Sequence, residues 1–491
     1  MQNKYNLPEN HLFTRGDIVS IFSKCFGKTL GELDKNRVFD RTIANPKITG
    51  IAGDVVEQSI LGYEPDSDQR PDILIDDIPY EVKTTGLRNN KKTGEIEAKE
   101  PMSITAVSPA NITEEVFFSS HFWEKIEHML LVYYLYDSDK TVKAADYAAF
   151  PFKGYELHEF NQSDTNVLKA DWEIVRDFIK HLKDTYINPE NEYPRISSEL
   201  REKLMYIDTA PKWPNPPRFR FKRSFVTSIV KEYFNTKLET LPEEYDSFIE
   251  FDNKLHDLTI KYKGKTVQEL LDLFLIPYEN AGNLNKAVSE QIVVKMFGGA
   301  SKKINKIDLF AKVGIVAKTI CLTSKGGRTE DMKLLPIEFD EVSGAVPFEE
   351  TTIFDYFMNH QLLCIVFEEK DKNQEFKDNK FIGFKRLSFS SNFVEKKVKS
   401  TWDSICHLVN NNKLKESNCY KKDGSLIYNK IGTIKTELNF PKSAKYEVFV
   451  RGSGSDSTDK TQEVNGINML HQWIWIKGSS IVEMLKDKKY I

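Results

Sequence analysis

Asp72, Glu81 and Lys83 are the residues whose types and spacing suggest chemistry. They lie in "RPDILIDDIPYEVKTTGL" (Arg70 to Leu87), where an aspartate opens one short apolar run and a glutamate and a lysine stand two apart on the next. The run Ile73 to Ile75, an Asp76-Asp77 turn and a second run from Ile78 to Lys83 read as a hairpin. If the two aspartates make the turn, Ile75 pairs with Ile78 and Asp72 falls opposite Glu81. Side chains alternate across a strand, so Glu81 and Lys83 share a face while Tyr80 and Val82 take the other. Pro79 has no N–H to offer a ladder and is expected toward an edge.

Two carboxylates so placed repel each other unless a divalent cation lies between them. Hard oxygen ligands suit Mg²⁺, which binds through one or two carboxylates and keeps waters for substrate phosphates. Lys83 then stands where it can orient an attacking water, help deprotonate it, or stabilise charge on a phosphate. This is the logic of phosphodiester hydrolysis. One element earlier, Ala52, Val55, Val56 and Ile60 recur at helical spacing with Gly62 as a stop, which puts Glu57 on the helix rim as a further carboxylate corner. A plainer arrangement fits the same residues: Asp72 caps a strand, Glu81 and Lys83 pair in solvent, and Glu57 is a surface acid. Spacing alone leaves both open.

These residues belong to a chain of 491, too long for one ordinary core, so several domains are expected. With 40% hydrophobic and 29% charged residues the composition is globular, and no run of about 18 apolar residues is present to span a bilayer. The stretch "MQNKYNLPENHLFTRGD" lacks the basic and apolar regions of a signal peptide, so a cytoplasmic protein with no membrane partner is expected. Five separated cysteines form no CxxC pair and nine histidines show no ligand spacing, which argues against a zinc cage, a disulfide framework or a histidine-metal nuclease. A net charge of -4 does not exclude a polyanion partner, because phosphate binding depends on local clusters.

The sequence also repeats itself. "GKTLGELD" (Gly27 to Asp34) returns as "GKTVQELL" (Gly264 to Leu271), and "IAGDVVEQSILG" returns loosely as "LNKAVSEQIVVKMFG". "PDILIDDIPYEVKT" is echoed by "IDLFAKVGIVAKT", and "FSSHFWEKIEHMLLVYY" by "ETTIFDYFMNHQLLCIVF". Four echoes in one order, at offsets of 232 to 237 positions, argue for a duplicated two-domain fold. The expected division is 1–236, an acidic connector 237–257, and 258–491. "MSITAVS" reads as a strand, Phe118 to His128 as a helix and Met129 to Tyr136 as a buried strand, giving an α/β (α+β) class with mixed sheets flanked by helices.

The run "GDVVEQSILGYEPDSDQRPDILIDDIPYEVKTT" resembles the active-site region of the MutH family, nucleases with the PD-(D/E)xK core. That group includes the mismatch-repair nicking endonuclease and the two-domain, GATC-cutting restriction enzymes of the Sau-3A type. The resemblance continues through "KTLGEL", "SSHFWEKIEHMLLVYYL", "ADWEIVRDFI" and "RFRFKRSFVTSIVKEYF". It implies two tandem restriction-endonuclease-like domains. Asp72, Glu81 and Lys83 take the family's catalytic places, Glu57 that of the helix glutamate, and Lys125 that of an additional active-site lysine. Asp72, Glu81 and Glu57 are the expected metal ligands, with Mg²⁺ as the divalent cation. The second half keeps Asp308 and Lys318, but Val316 answers Glu81 and Phe357 answers Lys125, so residues 258–491 are expected to be a degenerate, DNA-binding or regulatory domain.

The implied activity is a type II restriction endonuclease cutting double-stranded DNA at a short site, GATC-like by analogy, with a homodimer formed on DNA matching a palindrome. No clear counterpart of the lysine-glycine-containing recognition loop of the GATC cutters is present. Other readings are a modification-dependent endonuclease, a mismatch-repair-like strand-nicking enzyme, and a non-catalytic DNA-binding protein. DNA contacts are expected from "PKWPNPPRFRFKRSF", where Arg218, Arg220 and Lys222 alternate with Phe219 and Phe221 and Arg223 follows. Its rigid loop, with Lys212, Trp213 and Asn215, is the candidate base reader. A solvated edge strand guarded by charge is the plainer alternative.

Overall fold

The computed structural model describes residues 5, 7–64, 70–90, 94–138, 142–210, 214–278, 284–327, 330–344, 346–371 and 374–491. The hairpin forms with the expected register: Ile73 pairs with Tyr80, Leu74 with Pro79 and Ile75 with Ile78. Asp76 and Asp77 have φ of 51° and 65°. Two successive left-handed residues make a type I′ turn, whose twist matches that of the flanking strands.

Around this hairpin the strands lie in the order Leu12–Phe13, Ile73–Ile75, Ile78–Asn89, Met129–Leu135, Phe152–His158. Strand Ile78–Asn89 is therefore internal, contrary to the edge expected from Pro79. Its parallel pairing with Met129–Leu135 starts only at Glu81 opposite Met129. Pro79 precedes that ladder, and beside a two-residue turn it falls in a non-hydrogen-bonded pair, so its missing N–H costs no bond. Every residue of Met129–Leu135 is buried, as expected for a strand covered on both faces.

The helix expected from Phe118 to His128 is shorter. A 3-10 turn, Phe117–Ser119, precedes the helix His121–Glu124, which Ser120 caps by accepting from the Trp123 N–H. Phe117, Phe122, Trp123 and Ile126 are all buried, and the break at Ser120 lets residues from both segments reach one core. The long helix Gln162–Thr185 covers that core with Leu168, Trp172, Val175, Ile179 and Leu182, spaced four and three apart. Its Asp171, fully buried, accepts the backbone N–H groups of Met205, Tyr206 and Ile207, which anchors a small sheet of Met102–Ala106, Arg218–Phe221 and Ile207–Asp208.

The second half repeats this order of elements. Ile315–Thr323 runs parallel to Gln361–Glu369, which pairs antiparallel with Lys380–Leu387. A small sheet of Met332–Pro336, His471–Ile476 and Val448–Ser453 follows. The repeated "GKT" segments are the same capping box: Thr29 and Glu32 exchange bonds at a helix start, as do Thr266 and Glu269. Among the described residues the hairpin is not repeated. Where the first half has Ile73–Ile75, the second has a short helix, Asp308–Lys312.

One apolar cluster spans both halves, beside others confined to each half. A single apolar cluster runs from Leu87 through Trp172, Phe225, Phe251 and Phe310 to Phe384. The stretch expected as an acidic connector contributes to it, because helix Phe248–Tyr262 begins inside 237–257. Phe248, Phe251, Leu255 and Leu258 recur at helical spacing and are buried, while Asp252 reaches Arg386 at 2.7 Å. Lys312 bonds Asp164 at 2.8 Å across the same boundary.

Asp77 holds a positive φ with its side chain exposed, and Asp-Gly is the favoured pair for this turn. Asp77→Gly should raise the unfolding free energy by about 0.5–1 kcal/mol, measured by denaturant titration.

Candidate active site

Glu81 opens the parallel ladder with Met129–Leu135, and its own N–H donates to the His128 carbonyl at 3.0 Å. Only 5% of it is exposed. The two carboxylate oxygens are divided between two ammonium groups: Oε1 accepts from Lys83 Nζ and Oε2 from Lys125 Nζ, each at 2.7 Å. Lys83 lies on the same strand face, as strand alternation requires, with Tyr80 and Val82 buried in the opposite apolar cluster. Lys125 ends the short helix His121–Glu124 and also donates to the Arg70 carbonyl at 3.0 Å, tying the loop before the hairpin to the ladder behind it.

Asp72 immediately precedes the strand Ile73–Ile75. Its Oδ2 accepts the Val82 N–H at 2.8 Å, which turns the carboxylate toward Glu81 and Lys83. Its carbonyl is held by His11 Nδ1 at 2.6 Å, and the His11 ring packs on Tyr63 at 4.4 Å. Neither His11 nor the Arg70 carbonyl was legible in the sequence. Each lies more than 50 positions from its partner, and no local pattern marks such a contact.

Glu57 comes from the expected helix, which starts as Ile51–Val55 and widens to a π-helical turn over Val56–Leu61. The Glu57 carbonyl accepts both Gly62 and Tyr63 N–H groups, and Gly62, at φ 85°, ends the helix as expected. π-turns recur at functional sites.

Burial, then the charges of Asp72 and Asp54, push the Glu57 carboxyl up to about 7, with Lys83 opposing. Burial and then Glu81 push Asp72 up to about 6, against Lys83, the Val82 N–H and Lys125. Asp72 and Glu81 thus face two ammonium groups, with like-charge repulsion left over that also reaches Glu57. A hard divalent cation is the species that relieves it, and two carboxylates are the complement Mg²⁺ uses. Among the described residues no three His, Cys, Asp or Glu side chains stand close enough to form a cage, so the expected three-ligand set is not gathered. Asp72 and Glu81 fit a cation, provided that Glu81 releases one lysine contact.

The basic row meets a different fate. Phe219 and Phe221 are buried as expected. Arg220 is clamped by Asp208 through two bonds of 2.8 and 2.9 Å. Lys222 is 3% exposed, donates to the Leu204 carbonyl, and is pushed down to about 8 by burial. Arg223 spans the halves, bonding Asp355 at 2.8 Å, Glu97 at 3.0 Å and the Ala98 carbonyl at 2.7 Å. Lys222 and Arg223 therefore serve the interior, since the chain after Arg218–Phe221 turns inward into helix Arg223–Tyr233. Arg218 and Asn215 are exposed, and Lys212 and Trp213 lie outside the described residues. A cleft of about 1780 Å³ runs from Glu57 and Lys83 past Arg88 and Arg220 to Glu341 and Asp355 of the second half.

In the second half Val316, which answers Glu81 in the sequence, pairs with Leu362. Lys318 lies opposite Cys364 as Lys83 lies opposite Leu131, and its Nζ donates to the Lys333 carbonyl. Asp308 opens a helix and pairs with Lys312 at 2.9 Å. No carboxylate pair forms from these residues.

Residues 61–171 match the family model of the DNA mismatch repair enzyme MutH, a span that holds Asp72, Glu81, Lys83 and Lys125. That span is similar to the MutH family, and the chain is similar along most of its length to a restriction enzyme. Its similarity to the type II restriction enzyme Sau3AI of Staphylococcus aureus is 23% identity over 470 residues, covering 89% of this chain and 92% of that enzyme. No helix among the described residues is long and apolar enough to cross a membrane.

Because the folded carboxyls of Glu57 and Asp72 titrate above their unfolded values of 4.5 and 3.8, the folded chain holds these protons to higher pH. Cation-free stability should therefore fall as pH rises from about 4 through about 7 and level off above that. Asp72→Asn should be about 1–2 kcal/mol more stable than the parent at pH 8 and nearly equal to it at pH 4. Denaturant titrations at the two pH values check this, and a variant less stable at pH 8 contradicts it.

Proposed function

We propose that this chain is a Mg²⁺-dependent type II restriction endonuclease, cutting both strands of DNA at a short specific site from an active centre in its first half. The single observation that carries the reading is Glu81, a buried carboxylate shared by Lys83 and Lys125 beside the raised carboxyl of Asp72. Asp72 and Glu81 would hold the cation, which supplies charge neutralisation at the scissile phosphate and activation of water. Lys83 is within reach of the same space and orients water or the phosphate oxygens. Lys125 fixes Glu81 and the Arg70 carbonyl. Glu57, poised to exchange a proton near neutrality, is a proton acceptor for the attacking water.

On this reading residues 1–236 are the catalytic domain and 258–491 a nuclease-like domain without chemistry that binds DNA. The similarity to a restriction enzyme along 89% of the chain, against a MutH match limited to residues 61–171, favours restriction over strand nicking. A GATC-like target follows from the same analogy. Arg218 and Asn215 are the exposed members of the expected DNA contacts, and with one active centre per chain a homodimer forms on the site.

Asp72→Ala and Lys83→Ala should each lower cleavage of duplex DNA by about a thousandfold or more while leaving DNA binding within a few-fold of the parent. Asp308→Ala should leave the chemical step unchanged. Retained cleavage by either first-half variant, read on gels under single-turnover conditions, sinks the site assignment. The rate on single-site DNA should rise more steeply than in proportion to enzyme, whereas strict proportionality rules out assembly on DNA.

A further inference from the structure

Between helix Lys399–Asn410 and strand Val448–Ser453 the second half carries a ribbon without counterpart in the first. The equivalent interval there, after Gln162–Thr185 and before Ile207–Asp208, holds short helical turns. Strands Glu416–Asn418 and Thr436–Leu438 pair antiparallel at its base. The chain between them folds through two tight turns, closed by Gly424 N–H to the Lys421 carbonyl at 3.0 Å and Gly432 N–H to the Asn429 carbonyl at 2.9 Å. Both glycines have φ of 82°, so the tips are turned as sharply as a backbone allows.

Two properties of this ribbon ask for a partner. Residues 416–438 contain four lysines against three acids, and Lys413, Lys415 and Lys442 flank them, in a chain of net charge -4. Lys415, Lys421, Lys422, Lys430 and Lys435 are exposed, and none of them is ion-paired among the described residues. Large apolar side chains stand open beside them, with Tyr420 and Tyr428 each 59% and Ile431 55% exposed. A solvated ribbon guarded by charge would not also present tyrosines and isoleucine at its turns. Closely spaced ammonium groups on a β-ribbon suit the phosphates that flank a duplex groove, and the major groove, about 12 Å wide, admits a two-stranded ribbon. Tyrosine and isoleucine then meet sugars and base edges.

We propose that the ribbon 416–438 is a duplex-DNA contact of the second half, separate from the active centre. The proposal rests on the reading of that half as DNA-binding and names the element that does it. The test uses the full-length chain with Lys83→Ala, which binds without cutting, titrated with duplex DNA at several salt concentrations. Added changes are Lys421→Gln, Lys422→Gln and Lys430→Gln together, the same three positions to Arg, and Tyr420→Ala with Tyr428→Ala. The triple Gln variant should bind at least about tenfold more weakly, and its slope of log affinity against log salt should fall by about 2.7, roughly 0.9 for each phosphate that no longer meets a lysine. The triple Arg variant should bind as the parent does, and the tyrosine pair should weaken binding with little change in slope. Circular dichroism confirms that each variant is folded. A folded triple Gln variant with unchanged affinity and slope overturns the ribbon while leaving the nuclease reading intact, provided that the chain without Lys83→Ala cuts DNA. A chain that neither binds nor cuts DNA overturns both. Unchanged DNA binding with altered self-association by light scattering assigns the ribbon to contacts between copies and overturns the DNA proposal.

Discussion

A carboxylate removed from water must be offset by opposite charge, and in this protein Glu81 meets that demand with two lysines. Lys83 arrives by strand alternation. Lys125 arrives because the parallel ladder starts at Glu81 opposite Met129, which brings the end of the preceding short helix over the carboxylate. Lys125 also holds the Arg70 carbonyl, and through it the approach to Asp72. Hairpin register, ladder register and helix length thus converge on one buried group, and an error in any of them would leave it uncompensated.

The two halves show what the same framework does without that constraint. Strand pairing, small sheet and capping box are all repeated. With Val316 answering Glu81 in the sequence there is no buried carboxylate to satisfy, and the lysine that remains, Lys318, turns its charge to a backbone carbonyl. Asp308 is released to a helix start beside Lys312, which also bonds Asp164 across the boundary between the halves.

Charge in the basic segment Arg218 to Arg223 followed the opposite course from its appearance. A cationic row on alternating positions suggests an exposed face, yet Arg220, Lys222 and Arg223 are consumed by Asp208, by the Leu204 carbonyl, and by Asp355 with Glu97. The acids that neutralise them lie on other elements, so periodicity carries no trace of them. The hairpin was legible because its determinants are local: apolar alternation, two aspartates tolerant of positive φ, and a spacing of nine positions from Asp72 to Glu81. The extent of the helix expected over Phe118 to His128 was not, because apolar residues on every side of it also fit two short turns capped by Ser120.

The sequence by itself determined the strand face shared by Glu81 and Lys83, the turn that brings Asp72 back toward them, the duplication, and the absence of Glu81's equivalent from the second half. Each depends on short-range geometry, on covalent order or on residue identity. Tertiary structure decided which lysine reaches Glu81 from another element, how far burial raises Asp72 and Glu57, that His11 grips the Asp72 carbonyl, and which basic side chains remain free. Those outcomes depend on desolvation and on charges brought together from distant positions, and neither quantity exists until the chain has packed.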